Sequence, residues 1–172
     1  MSDFHLSFST NKPMDIFGGN WKDHAEKIKQ NWPLSDSDTI IMPGDLSWAL
    51  KYEELIADLE FLHSLKGTKV LLKGNHDMWW SSPSRLKKIT KQYPSIIFVH
   101  NNSLIVEGVS IAGTRGWNVE GKTEEDLKIL NREAIRLEMS LSSIKTEEKI
   151  VFMHYPPLSP NLKDTVFTDL FK

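Results

Sequence analysis

Short apolar runs alternate along the chain with longer segments in which apolar residues recur at helical spacing. Residues 40–42, 70–72 and 150–153 are short, apolar and rich in β-branched side chains, which is typical of buried strands. Residues 96–99, 104–106 and 109–112 predict further strands. The alternation of strands with helical segments predicts an α/β fold, a layered β-sheet with flanking helices.

Two amphipathic helices stand out in this pattern. The first covers residues 52–65, with four leucines on one face: Leu55, Leu59, Leu62 and Leu65. The second begins at Thr123, where Thr123-Glu124-Glu125-Asp126 resembles a capping box. Its predicted apolar stripe is Leu127, Leu130, Ala134, Leu137 and Leu141. A shorter helix is predicted upstream from the spacing of Trp21, Ala25 and Ile28.

Length and composition limit the class of protein. The 172 residues suit one domain, residues 1–172, and no linker or repeat divides them. The chain has no cysteine, so any metal must be held by His, Asp, Glu or Asn. The net charge of -2 gives no positive support for nucleic-acid binding, although it does not rule out a local basic patch. No apolar stretch is long enough for a bilayer and no signal peptide is evident, so we expect a cytoplasmic protein without membrane contact.

Polar clusters follow three of the predicted strands at the point where each strand ends. They are Gly44-Asp45, then Gly74-Asn75-His76-Asp77, then His154, and the N-terminal Asp3-Phe4-His5 adds a fourth cluster. Each alone fits an ordinary turn, a helix cap, a loose terminus or a buried histidine. In α/β sheets, however, ligand sites form at the carboxyl ends of strands. We therefore expect these clusters to lie near one another.

The ordered pattern Asp3-x-His5, Gly44-Asp45, Gly74-Asn75-His76-Asp77 and His154 resembles the signature of calcineurin-like metallophosphoesterases. The resemblance covers almost the whole chain. It implies that family's architecture and two divalent metal ions, most often Mn, Fe or Zn. By the family pattern, Asp3 and His5 hold one metal, Asn75 and His154 hold the other, and Asp45 bridges the pair. Hard oxygen and imidazole donors suit such cations, and carboxylates shared between them offset their repulsion.

The resemblance also implies a reaction, the hydrolysis of phosphate monoesters or diesters by a hydroxide held between the two metals. His76 is then expected to protonate the leaving group or stabilise the transition state. Asp77 either orients the His76 ring or caps a helix that begins near Ser84. Asn75 and Arg115 are expected to contact the substrate phosphate, the alternative for Arg115 being a surface ion pair.

Aromatic residues lie close in sequence to these clusters. Trp48, Trp79, Trp80 and Trp117 either wall a substrate cleft or pack in the core.

The chain departs from the family pattern at both ends. Only Met1 and Ser2 precede Asp3, where the family has a hydrophobic strand, and no Gly-His-x-His segment follows His154. These departures predict an incomplete domain with unpaired strand edges and three protein ligands for each metal. They also motivate an alternative function, a catalytically inactive fragment or pseudoenzyme that acts as a binding module. A protein with one structural metal ranks below both.

The sequence narrows the substrate class only in part. Gly44-Asp45 is followed by Leu46-Ser47-Trp48-Ala49, without the Asp-Arg-Gly extension of protein phosphatases in this superfamily. That lowers the expectation of a phosphoprotein substrate. A nuclease or a cyclic-nucleotide phosphodiesterase stays open.

Overall fold

The computed structural model describes residues 1–171 and divides the chain into two compact units, Met1–Phe98 and Val99–Lys172. Both units combine a three-stranded sheet with helices, which agrees with the α/β fold expected from the sequence. The single domain expected for residues 1–172 stays a prediction. Among residues 1–171, no helix combines the length and the apolar content that crossing a bilayer requires.

The first unit is built on a parallel sheet in the order β1-β2-β3. Two 3₁₀ turns, Met14–Phe17 and Gly19–Trp21, precede its regular elements. In chain order the elements are α1 (His24–Gln30), β1 (Thr39–Met42), α2 (Tyr52–Ser64), β2 (Thr68–Leu71), α3 (Pro83–Gln92) and β3 (Ile96–Phe98). All three predicted strands and the predicted helices of this unit are confirmed, with ends shifted by one to three residues.

The core of the first unit explains why α2 forms where the leucines recur. Leu55, Leu59 and Leu62 have no exposed surface and pack in one cluster with Met42 and Leu71. Burying a leucine side chain stabilises the fold by about 1.5–3 kcal/mol, so this stripe anchors α2 on the sheet. Since β1 and β2 are parallel, their carboxyl ends lie side by side, with Met42 paired to Leu71.

The first six residues run beside β1 and the loop that follows it. The Met1 amino group donates a hydrogen bond to the Ile41 carbonyl oxygen at 3.1 Å. Leu6 forms an isolated parallel bridge with Ser47. These contacts engage main-chain groups along an edge of the first sheet, where the sequence predicted unpaired strands.

The second unit has a mixed sheet in the order β4-β5-β6. Its elements are β4 (Leu104–Val106), β5 (Val109–Thr114), α4 (Glu124–Ser142), β6 (Lys149–Met153) and α5 (Val166–Asp169). A two-residue turn joins β4 to β5, with φ of 50° at Glu107 and 84° at Gly108. Positive φ at both turn residues matches the twist of an antiparallel hairpin, and glycine adopts it without strain.

The long helix α4 confirms the predicted cap and most of the predicted apolar stripe. Thr123 and Asp126 form the capping box. Leu127, however, is 49% exposed, and the buried face consists of Glu133, Leu137 and Ser140. Leu137 is thus buried as predicted, Leu130, Ala134 and Leu141 are partly buried, and Leu127 is the one member of the predicted stripe that is exposed. The polar residues Glu133 and Ser140 share the buried face because they find partners on β5 and beside it: Ser140 Oγ accepts from the Gly113 main-chain amide at 2.9 Å, and Glu133 is bound as described below.

Candidate metal centre

Three predicted metal ligands come together in the first unit. One donor atom from each of Asp3, His5 and Asp45 can be chosen so that all lie within 4.8 Å of one another. His5 Nε2 is 3.9 Å from Asp3 Oδ1 and 3.7 Å from Asp45 Oδ2. Two carboxylates and one imidazole around a common point are a donor set that suits a hard or borderline divalent cation. The residues present therefore fit the first metal of the predicted pair.

The main chain brings these ligands together and holds all three in an unusual conformation. The amides of Asp3 and His5 donate to the carbonyl oxygens of Gly44 and Asp45, each at 3.0 Å. Asp3, His5 and Asp45 have φ of 59°, 47° and 55°, in the left-handed region that non-glycine residues rarely adopt. Such conformations persist only where the surrounding structure imposes them, and they concentrate at functional sites.

The loop after β2 fixes the Asp45 carboxylate. The His76 main-chain amide donates to Asp45 Oδ1 at 2.8 Å, which leaves Oδ2 facing His5. Gly74 lies directly against the same carboxylate, because a Cβ at this position would stand 2.0 Å from Asp45 Oδ1 and 2.2 Å from the Asp45 amide nitrogen. Only glycine allows this approach, so Gly74 shapes the site without contributing a ligand.

Asp77 is fully buried and binds main-chain amides. Its two oxygens accept five hydrogen bonds, from the amides of Asp45 (2.8 Å), Leu46 (2.9 Å), Ser47 (3.3 Å) and Gly74 (2.8 Å) and from the Trp79 indole (3.1 Å). Burial raises the pKa of Asp77, and the amide donors oppose that shift. Asp77 therefore ties the loop after β1 to the loop after β2.

This geometry changes the interpretation of Asp77. The alternative role as a helix cap is wrong, because α3 begins at Pro83 with Ser82 at the N-cap position. The hydrogen bonds of its carboxylate also go to the amides and the Trp79 indole, and none among residues 1–171 joins it to the His76 imidazole. Asp77 thus binds the amides of Asp45 and of the residues that follow it, an arrangement that the sequence did not predict, and its catalytic role stays a prediction.

The His76 ring lies next to the ligand cluster and packs against Trp48. The centroids of the His76 and Trp48 rings are 4.5 Å apart, and those of His76 and His5 are 5.5 Å apart. Trp48 also stacks on His5, with a centroid distance of 4.9 Å and an interplanar angle of 23°. Trp48, which is partly buried, thus forms a wall shared by a predicted ligand and the predicted proton donor. Asn75, between Gly74 and His76, is partly buried, and its ligand and substrate roles stay predictions.

A second buried carboxylate, Asp58, was missed by the sequence reasoning. Asp58 Oδ1 accepts from the Phe8 amide at 3.0 Å, and Oδ2 accepts from the Ser47 hydroxyl. Burial raises the pKa of Asp58. Asp58 lies on α2 among the leucines, between Leu55 and Leu62 at helical spacing, and an acidic residue on a buried stripe is the signal that could have identified it. It joins the segment after His5 to the loop after Asp45.

The other two predicted site residues lie in the second unit. His154 directly follows β6, is partly buried, and contacts the Tyr155 ring edge-on at a centroid distance of 5.4 Å. Arg115 directly follows β5, is 9% exposed, and donates from Nη2 to Glu133 Oε1 at 2.9 Å. The metal role of His154 and the phosphate role of Arg115 stay predictions.

Arg115 forms an ion pair, as its alternative assignment proposed, but the pair is buried and belongs to a network. Glu133 is 1% exposed and also accepts from Thr114 Oγ1 at 2.8 Å and Arg136 Nη1 at 2.8 Å. The Arg115 guanidinium lies over the Trp117 ring, 4.8 Å from its centroid. Burial lowers the pKa of Arg115, while Glu133 opposes that shift.

The remaining tryptophans of the sequence pattern lie in the core. Trp79 and Trp80 are 6% and 8% exposed and belong to the hydrophobic cluster of the first unit, which confirms core packing for both. Their rings contact each other and Phe98, with centroid distances of 5.2–6.3 Å. Trp79 in addition supports the site through its hydrogen bond to Asp77.

Comparison with known proteins identifies the family. Solved structures similar to this chain include a protein of unknown function, AQ665, from Aquifex aeolicus, with 18% identity, a TM-score of 0.47, and coverage of 99% of this chain and 90% of that one. They also include phosphopantetheinyl hydrolase (PptH) from Mycobacterium tuberculosis, with 14% identity, a TM-score of 0.54, and coverage of 99% and 72%. No curated protein sequence gives a significant match. The family model for calcineurin-like phosphoesterases matches residues 1–170. The chain, whose residues 1–171 form two sheets and five α-helices consistent with that fold, therefore belongs to the calcineurin-like phosphoesterase family.

Proposed function

We propose that this chain is a metal-dependent hydrolase of phosphate monoesters or diesters. The observation that carries the proposal is the convergence of Asp3, His5 and Asp45, whose donor atoms lie within 4.8 Å of one another on a backbone held in the left-handed region. Metal-dependent phosphoester hydrolysis is also the activity of the family as a whole. The specific substrate and the assignment of individual residues below are part of the proposal.

Two divalent cations complete the proposed site, with Mn, Fe or Zn as the candidates. Asp3, His5 and Asp45 would hold the first, and Asp45, Asn75 and His154 the second. When bound, such cations supply positive charge to phosphoryl oxygens and acidify water near neutral pH. The absence of cysteine keeps the donor set hard and favours these metals over those that require thiolates.

His76 is the proposed general acid. Its ring lies beside His5, so the imidazole would be close to a phosphate ester held at the first proposed metal site. The packing of Trp48 against His76 limits the orientations of the ring. The main-chain amide of His76 also binds the Asp45 carboxylate, so the residue proposed as the proton donor also positions the proposed bridging ligand.

Asp77 and Asp58 act on the proposed site indirectly. Asp77 accepts hydrogen bonds from main-chain amides in the loops after β1 and β2. Asp58 accepts hydrogen bonds from the Phe8 amide and the Ser47 hydroxyl. Rigid support of this kind matters because a displacement of about 1 Å at a catalytic group can cost about a hundredfold in rate. We assign both as positioning residues.

Hydrolysis of p-nitrophenyl phosphate and bis(p-nitrophenyl) phosphate with added manganese tests the proposal. We expect turnover that a chelator abolishes and that His76→Ala reduces by about 10²–10⁴-fold, the usual contribution of a general acid. His63→Ala is the matched control, because His63 is an exposed histidine of the same unit that bonds Ser95 instead of the site. Its turnover should equal that of the unmodified chain.

Manganese binding, measured by calorimetry, separates the outcomes. Manganese binding without turnover would contradict the hydrolase and leave the one-metal protein. If the folded chain shows no manganese binding and no turnover, the result would favour the binding module. The cytoplasmic location expected from the sequence remains part of this proposal.

A further inference from the structure

A cavity of about 600 Å³ lies in the first unit, outside the ligand cluster. It is formed by the start of α2, by residues 78–81 and by one face of α3. Cavities of about 300–1,000 Å³ hold small-molecule ligands of drug-like size. No residue that lines it is among the predicted metal ligands.

One side of this cavity is apolar and accessible. Leu50 and Met78 are each 63% exposed and line the cavity together with Trp80. Large apolar side chains exposed next to one another commonly mark a binding surface. Methionine in particular adapts its shape to different apolar ligands. This side suits an aromatic or aliphatic body.

Other residues of the cavity lining carry positive charge. Arg85 and Lys88, three residues apart on the exposed face of α3, line the cavity, and neither forms an ion pair within residues 1–171. Lys51 is a third lining cation but lies 4.0 Å from Glu54. Glu53 is the one lining carboxylate. The excess of cations suits an anionic ligand group.

The cavity starts where the loops of the candidate metal centre end. Met78 directly follows His76-Asp77, and its amide donates to the His76 carbonyl oxygen at 2.7 Å. Trp79, which lines the cavity, bonds Asp77 at 3.1 Å. On the other side, Leu50 continues the loop that carries Trp48. Residues that line the cavity therefore adjoin, along the chain, both loops that carry the candidate metal centre.

We propose that this cavity binds the leaving group of the substrate, and that this leaving group has an apolar body, placed against Met78 and Trp80, and a second anionic group, placed at Arg85 and Lys88. The inference rests on the proposed hydrolase function and defines its substrate class. The substrate is a phosphoester whose leaving group is itself an amphipathic anion.

One pair of esters and two charge variants test the substrate class. 6-Carboxy-2-naphthyl phosphate and 2-naphthyl phosphate differ only in the second anionic group. We expect a higher kcat/KM for the carboxylated ester, and a fall of about fivefold in the ratio of the two values in Arg85→Gln/Lys88→Gln, since exposed charge pairs contribute about 0.2–1 kcal/mol each. Lys87→Gln/Lys91→Gln removes the same charge from the same helix outside the cavity and should leave the ratio unchanged.

Binding of the free leaving groups separates the cavity from the chemistry. Without added metal, 6-hydroxy-2-naphthoate should bind more tightly than 2-naphthol, and Arg85→Gln/Lys88→Gln should remove that difference. If neither ester is hydrolysed but this binding pattern holds, the hydrolase and the leaving-group role fail, and only the assignment of the cavity as a site for an amphipathic anion stands. Equal affinity for both naphthols, or the same loss in the Lys87→Gln/Lys91→Gln control, would overturn the cavity assignment whether or not hydrolysis is observed.

Discussion

Replacing Asp77 by asparagine gives the strictest test of how the site is built. The change keeps the size of the side chain but replaces one acceptor oxygen by an NH₂ group. Oδ2 accepts from the amides of Asp45 and Gly74, and Oδ1 from Leu46, Ser47 and the Trp79 indole. Either orientation of the amide therefore leaves at least two buried N–H groups facing a donor.

The size of the effect follows from these hydrogen bonds. Leaving a buried donor unsatisfied costs about 1–3 kcal/mol. Relief of the cost of burying the Asp77 carboxylate offsets part of this, so we expect a loss of about 2–4 kcal/mol in the free energy of unfolding. For a chain of this size, each kcal/mol lowers the Tm by about 2–4 °C. Urea unfolding and thermal scans measure both quantities.

A matched variant and a metal titration complete this test. Asp36→Asn makes the same change at an exposed carboxylate that lies 4.0 Å from Lys66, and should alter the free energy of unfolding by less than about 0.5 kcal/mol. Manganese affinity should fall in Asp77→Asn because the loop that carries Asp45 loses its anchor. A loss of stability below about 1 kcal/mol, with unchanged manganese affinity, would refute the positioning role.

Two further substitutions test separate features of the first unit. Gly74→Ala places a Cβ 2.0 Å from Asp45 Oδ1, so we expect the manganese affinity measured by calorimetry to fall at least about tenfold. Gly19→Ala is the control, because its Cβ meets nothing within 4 Å, and it should leave the affinity unchanged. Equal affinities in the two variants would contradict the close approach of Gly74 to Asp45. Burial lowers the pKa of Lys69 from 10.5 to about 8. Between these two pH values Lys69 is more protonated in the unfolded chain than in the folded chain, so its contribution to the free energy of unfolding increases as the pH rises. Urea titrations at pH 7.5 and 10 should show a smaller rise for Lys69→Met than for the exposed control Lys87→Met, and parallel changes in both would exclude the effect.

Local patterns predicted the elements well because local forces decide them. The strands at the predicted runs form because each run is apolar and short, and α2 forms because its leucines share one face. The meeting of Asp45 with residues 74–77 also follows from the sequence, since β1 and β2 are parallel neighbours with their carboxyl ends together. The pairing of Asp3 and His5 with Gly44 and Asp45 needed the family resemblance.

The parts that the sequence did not predict depend on contacts between distant segments. Asp77 bonds amides about thirty positions away, and nothing in its neighbours shows that it would face them. Glu133 is buried in α4 because Thr114 and Arg115 reach it from the end of β5. A hydrophobic pattern predicts that an acidic residue faces solvent. Such a residue is buried only where a partner from a distant segment binds its charge, and the sequence pattern does not show that partner.

The buried and partly buried carboxylates of the first unit divide into two kinds, and the division points to the position of a cation. Asp77 and Asp58 are surrounded by N–H and O–H donors, which satisfy a negative charge within the protein. In Asp45, Oδ1 accepts from the His76 amide, and Oδ2 lies 3.7 Å from His5 Nε2 in the cluster that also contains Asp3. Two carboxylates directed at one point repel each other, and the left-handed backbone at both adds strain of about 1–3 kcal/mol for each residue. At the proposed metal site, a divalent cation between the two carboxylates would convert the repulsion into attraction, and this would explain why the fold maintains a costly arrangement at the ligand cluster.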